Sequence, residues 1–190
     1  AMREYTRLLD PTRPSGIANA GGGELIKGLD VVGFNYIRQN DIDNRKRENP
    51  LWKIVGTEET SGCGTRGVYF NDPGQPGRMK SLNYVSGETL PQDEDPLTRV
   101  QMENIIERGW QFYSERPWAA GLFYWTGFDY RGEPNPLSYP ANLSEFGIFD
   151  YCGFRKDEAW YLQSWWTDEP TLHIFPHWNL SGHEGEEVEI

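Results

Sequence analysis

The sequence predicts an α/β fold with parallel strands of the (β/α) type, on three observations. Apolar runs at residues 29–36 (β-branched at Val31 and Val32), 53–57 and 119–130 lack the polar alternation of a half-solvated strand, the mark of strands covered on both faces. Helical-period stretches or long loops separate them. Each run carries polar residues at its C-terminal end: Asn35 and Tyr36, Glu58 and Glu59, then Trp125 and Asp129.

The elements follow in order. Residues 2–9 read as the tail of a helix, stopped by Pro11 and Pro14, which force extended backbone. Residues 15–20 form a short strand candidate ahead of a triple-glycine loop. The runs at 29–36 and 53–57 are the next two strands. Residues 68–94, rich in Gly and Pro, read as an excursion over a mouth of the fold. Leu97, Val100, Met102, Ile105, Ile106, Trp110 and Tyr113 fall at helical spacing within 95–116, so a helix feeds the strand at 119–130. Residues 131–154 read as loop, 156–165 as helix and 172–178 as a strand that opens a new layer.

Composition narrows the partner. A net charge of −11 opposes binding to nucleic acid or an anionic membrane, since both need clustered Lys and Arg. Eight Trp and ten Tyr offer flat apolar faces with polar edges, suited to neutral sugars or to a tight core. Cys63 and Cys152 lie far apart with no paired spacing, and His173, His177 and His183 sit near the end of the chain. These patterns make no metal site. Residues 1–20 show no charged-then-apolar signal pattern.

Four strands, the three buried runs with polar C-terminal ends and the short candidate at 15–20, suggest about half of a β/α barrel, whose full form has eight strands in roughly 250 residues and its active site above those ends. A half barrel leaves sheet edges open. An upstream segment, or self-association through those edges, would have to close them.

Six stretches in order carry a resemblance: DPTRP (10–14), DVVGFNY (30–36), IVGTE (54–58), RPWAAGLFYWTGFDYRGEP (116–134), FGIFDYCGFRKD (146–157) and LHIFPHWN (172–179). Together they resemble the catalytic domain of glycoside hydrolase family 2, especially its β-galactosidases, over nearly the whole chain. The resemblance implies the C-terminal half of a TIM barrel at residues 1–170. Residues 171–190 would be a junction and the start of a β-sandwich-type domain. It implies a retaining mechanism without cofactor or metal, in which one carboxylate attacks the anomeric carbon and a second, about 5–5.5 Å away, protonates the leaving oxygen.

By that resemblance Glu58 matches the nucleophile, with Glu59 the runner-up. Strand alternation turns only one of the two inward and does not say which. Tyr36 matches a tyrosine that hydrogen-bonds the nucleophile, against the alternative of a buried tyrosine bonded to a backbone carbonyl. Trp125 matches the floor of the sugar pocket, against the alternative of a barrel-filling side chain. Asn35, Asp129, Arg131 and Glu133 are candidates for contacts to sugar hydroxyls, against turn capping for Asn35 and solvated charge for the rest. Arg66 could pair with a nearby acid or line the mouth.

The family's general acid follows an Asn, and no Asn-Glu pair occurs upstream of Asp30. The expectation is a nucleophile-bearing fragment of an enzyme that cleaves terminal β-galactosides, inactive alone. The alternative is a non-catalytic carbohydrate-binding or assembly module. Bacterial relatives of this branch are often exported, so a periplasmic or secreted setting is expected from the resemblance.

Overall fold

A computed structural model describes residues 2–18, 23, 26, 28–36, 40–59, 62, 64–69, 106–133 and 139–187. Cys63, most of the expected excursion at 68–94 and the first part of the expected helix at 95–116 lie outside them. The chain divides into two units: residues 1–60 with 108–124, and residues 61–107 with 125–190.

The first unit is built on three parallel strands in sequential order: β1 (Val32–Asn35), β2 (Ile54–Glu59) and β3 (Ala119–Tyr124). Val32, Phe34, Ile54, Ile26, Ile42 and Tyr113 form its buried core, flanked by Trp52, Trp110, Phe112, Trp118 and Leu122. Unbroken apolar runs predicted such strands, and burial of β1 agrees with that reading.

The helices contribute through different faces. Helix α1 (Met2–Leu9) buries none of its residues. Its polar side is fixed instead: Arg3 and Arg7 each donate to Asp30 Oδ1 at 2.6 Å, while Ser15 N–H and Oγ donate to Oδ2 at 3.0 and 2.9 Å. Helix α2 (Ile42–Glu48) seats only Ile42 in the core. One apolar anchor gives no periodicity, so the sequence did not announce this helix. Helix α3 (Ile106–Ser114) sends Tyr113 into the core. Arg116, just beyond it, grips Asp43 through two hydrogen bonds at 2.9 and 2.8 Å.

The strand expected at 15–20 does not form over its described part, residues 15–18. Ser15 O instead accepts from both Asp30 N and Val31 N at 3.1 Å, a shared acceptor rather than a ladder. The segment nevertheless lies tight against β1, because a Cβ on Gly33 would stand 2.3 Å from Ile17 O. The expected strand at 119–130 ends at Tyr124.

In the second unit, β4 (Tyr130–Arg131) and β5 (Leu143–Ser144) pair antiparallel, and all of this hairpin after Tyr130 falls in the stretch read as loop from sequence. Helix α4 (Asp157–Trp166) lies within one residue of its expected span and buries Glu158, Ala159 and Leu162. No strand forms at 172–178. His173 instead stacks on Trp160 at 5.2 Å and on Phe175 at 5.7 Å, and its Nε2 meets Asp157 Oδ1 at 2.6 Å. Side-chain stacking on α4 takes the place of ladder hydrogen bonds. Among the described residues, no helix is long and apolar enough to cross a membrane.

The Asp30 cluster gives a pH prediction. Its hydrogen bond from Arg3, then those from Ser15, hold the carboxyl far below the usual range. A depressed folded-state pKa adds stability above the unfolded value, near 4, and that stability is lost as pH falls through the folded value. Urea midpoints measured from pH 6 downward should therefore fall more steeply in the parent than in Asp30→Asn, which starts lower.

Candidate active site

Everything at the end of β2 depends on one extra residue. Phe34 pairs with Gly56 and Asn35 with Glu58, so Thr57 is passed over. On the other side Gly56 pairs with Leu122 and Glu59 with Tyr124, three steps on β2 against two on β3. Strict alternation would set Glu58 on the face of Gly56. The bulge reverses the parity from there on, and a Cβ on Gly56 would lie 2.8 Å from Glu59 Cγ.

Glu59 therefore shares the face of Gly56, where it is 4% exposed and accepts a hydrogen bond from Tyr113 Oη at 2.7 Å. Gly56 makes that contact possible, since a Cβ there would fall 1.8 Å from Tyr113 Oη. Burial first, then the charge of Glu59, pushes the Tyr113 phenol far above its ordinary pKa, so it stays a donor.

Glu58 meets a different set. Its Oε1 accepts from Tyr36 Oη at 2.5 Å and its Oε2 from Asn35 Nδ2 at 3.0 Å. Thr57 Oγ1 donates to Asn35 Oδ1 at 2.9 Å, which turns the amide nitrogen toward the carboxylate. Tyr36 N–H donates to Glu58 O at 2.7 Å. Tyr36 itself has φ 54°, a left-handed conformation that costs a bulky residue about 1–3 kcal/mol and gathers at functional sites. The structure thus brings Asn35, Tyr36 and Glu58 together and turns Glu59 to other partners.

The other sequence candidates belong to the second unit. Trp125 is 36% exposed and meets Tyr130 edge-on at 6.0 Å. The backbone beyond it is held by hydrogen bonds between Thr126 N and Phe146 O, Ile148 N and Thr126 O, and Phe149 N and Gly127 O, each at 3.0 Å. Asp129 is buried and receives Lys156 Nζ at 2.7 Å and Gly147 N at 2.8 Å. Its carboxylate is occupied within the fold. Arg131 lies over the Tyr151 ring at 4.6 Å, and the Glu133 side chain is exposed while its carbonyl accepts from Ser144 Oγ. Arg66 pairs with Asp150 at 2.6 Å.

Two features lay beyond single-sequence reasoning. Lys156, 3% exposed, donates to Gly64 O at 2.8 Å, Asp129 Oδ1 at 2.7 Å and Glu145 O at 3.0 Å, which satisfies all three of its protons. Nothing local marks it, because its acceptors come from distant positions. The second unit also holds a cavity of about 190 Å³ lined by Glu107, Asp157, Trp160, Tyr161 and His173 among others. Arg155 lies over the Trp160 ring at 4.5 Å and His173 stacks on it at 5.2 Å, so this indole already has partners within the fold.

No family model matches the chain. It is 36% identical over 98% of its length to the β-galactosidase BoGH2A of Bacteroides ovatus. It is 44% identical over 93% of its length to a Formosa agariphila protein provisionally named a β-glucuronidase. The chain spans about a fifth of these relatives, 22% and 19% of their lengths. A β-glycosidase crystal structure from Bacteroides vulgatus superposes with a TM-score of 0.68 at 27% identity, over 98% of this chain and 26% of that one.

Burial pushes the Asp129 carboxyl up, against the opposing pull of Lys156. Lys156→Met would leave that carboxylate buried without its cation, an expected loss of about 3–5 kcal/mol at pH 7 by denaturant unfolding. A raised folded-state pKa favours folding below the unfolded value and loses that contribution as pH rises through the folded one. The deficit of Lys156→Met should therefore shrink on acidification, and Asp129→Asn in the same background should recover part of it at pH 7.

Proposed function

This chain belongs to glycoside hydrolase family 2, and we propose that it is the nucleophile-bearing segment of a longer retaining β-glycosidase. The observation that carries the reading is the Glu58 carboxylate, with each oxygen bonded to a separate neutral donor, Tyr36 and Asn35. A nucleophile must attack as the anion, and donors fixed on both oxygens stabilise that form and hold its direction. Glu59, buried against Tyr113, is the structural member of the pair.

On this reading β1, β2 and β3 are consecutive strands of a β/α barrel whose remaining strands come from elsewhere in the longer protein. The site lies at the strands' C-terminal ends, where Glu58 stands. Glu58 attacks the anomeric carbon, and the carbon–oxygen bond to the leaving group breaks. A carboxylic acid outside this chain, about 5–5.5 Å away, gives its proton to the departing oxygen. Water then releases the sugar from Glu58, with the second carboxylate acting as base. Trp125, exposed beyond β3, is the apolar floor proposed for the sugar ring. Arg131 and Glu133 are candidates for hydroxyl contacts, whereas Asp129 accepts from Gly147 N–H and Lys156 within the fold. Residues 171–190 serve as a junction to the next domain.

A terminal β-galactoside is the proposed substrate. The resemblance of residues 116–134 and the name of the Bacteroides ovatus relative support it. The β-glucuronidase name of the second relative makes the glucuronide the comparison substrate.

In the full-length protein, a 2-deoxy-2-fluoro-β-galactoside with an activated leaving group should label one carboxylate, and peptide mass spectrometry should place the label on Glu58. Glu58→Gln should lower turnover of an aryl β-galactoside on the order of 10⁴-fold or more. A label on Glu59 would overturn the assignment. Faster turnover of the aryl β-glucuronide would overturn the galactoside alone. The isolated chain should show no turnover, since loss of general acid catalysis by itself costs about 10²–10⁴-fold.

A further inference from the structure

We propose that Asn40 is a positioning residue for the nucleophile, clamping the turn that aims the Tyr36 hydroxyl at Glu58. The inference rests on the reading of Glu58 as nucleophile. It starts from a problem in the backbone. β1 ends at Asn35 and the chain bends through a left-handed Tyr36, so the backbone carbonyls of these two residues stand where the strand stops.

A single side chain serves both. Asn40 Nδ2 donates to Asn35 O at 2.7 Å and to Tyr36 O at 3.0 Å. One amide nitrogen carries two protons at a fixed angle, so Asn can bridge two successive carbonyls. A hydroxyl has one proton to give, and a carboxylate has none. Asn40 is itself held from behind, because Arg45 Nε donates to its carbonyl at 2.8 Å. Arg45 in turn lies over the Phe34 ring at 5.6 Å, on the buried floor of β1.

The contacts thus run from the core through Arg45 and Asn40 to the two residues that bond the Glu58 carboxylate. Tyr36 N–H to Glu58 O closes the turn from the β2 side. With Asn40 removed, the left-handed conformation of Tyr36 loses its clamp on the far side. The chain can then relax toward φ values that suit an aromatic residue, and the hydroxyl swings off the carboxylate. Asn40 touches neither sugar nor reacting atoms in this account. Its effect passes through Tyr36.

A double-mutant cycle on the full-length protein tests this. Asn40→Ala, Tyr36→Phe and the pair are compared by the single-turnover rate of labelling by the 2-fluoro sugar. Asn40→Ala is expected to slow labelling about tenfold, the worth of one well-aligned hydrogen bond, with the sugar's half-saturating concentration little changed. In the Tyr36→Phe background the same substitution should change the rate by no more than about twofold. An undiminished tenfold effect there would overturn the proposal, since a merely structural residue acts whether or not the hydroxyl is present. If Asn40→Ala does not fold, Asn40→Asp, which keeps the shape and loses both donors, takes its place. A crystal structure of the variant decides the clamp without reference to catalysis: Tyr36 Oη displaced from Glu58 supports it, and an unmoved hydroxyl overturns it. A label found on another carboxylate of the parent would sink the nucleophile assignment, and the position of Tyr36 Oη would still decide the clamp.

Discussion

The single residue inserted into β2 between Gly56 and Glu58 governs the rest of the site. Two adjacent carboxylates on a regular strand would be sorted by simple alternation, with Glu58 on the crowded face of Gly56 and Tyr113. The bulge exchanges them. Glu59 goes to the buried phenol, where the missing Cβ of Gly56 leaves room for it. Glu58 goes to Tyr36 and Asn35. Bulges are common beside active sites because they re-aim one side chain without disturbing the strand that carries it.

Much of this was legible in the sequence, and the rest was not, for identifiable reasons. β1, β2 and α4 were readable because burial on both strand faces, or on one helix stripe, imposes a residue pattern. The pairing of Tyr36 with Glu58 was expected only through the family resemblance, and the structure shows that hydrogen bond. The choice between Glu58 and Glu59 could not be read from periodicity, because a bulge breaks the rule on which periodicity relies. Helix α2 was silent, since six of its seven residues are polar and its one anchor, Ile42, is invisible to a moment. Residues 172–178 misled in the opposite direction. An apolar and aromatic run reads as a strand, yet His173 and Phe175 find their partners by stacking against Trp160 and Tyr69.

The two units manage their polar groups differently. In the first, the ion pairs tie helices down: Arg3 and Arg7 to Asp30, Arg116 to Asp43. In the second, an ion pair between Lys156 and Asp129 is buried on both sides. Such a pair gains little over apolar packing, but it is unforgiving of misplacement, which suits a site where loops rather than strands must be held in register.

That buried ammonium also bears on how the segments of the second unit fit together. Its three acceptors lie 92, 27 and 11 residues away along the chain. Burying Lys156 before all three arrive would strand a desolvated charge, so partly docked arrangements are high in energy. The widest of these closures also carries the largest loop entropy. Only the complete arrangement of these segments satisfies the Lys156 ammonium, so the contacts around it favour all of the segments together over any subset of them.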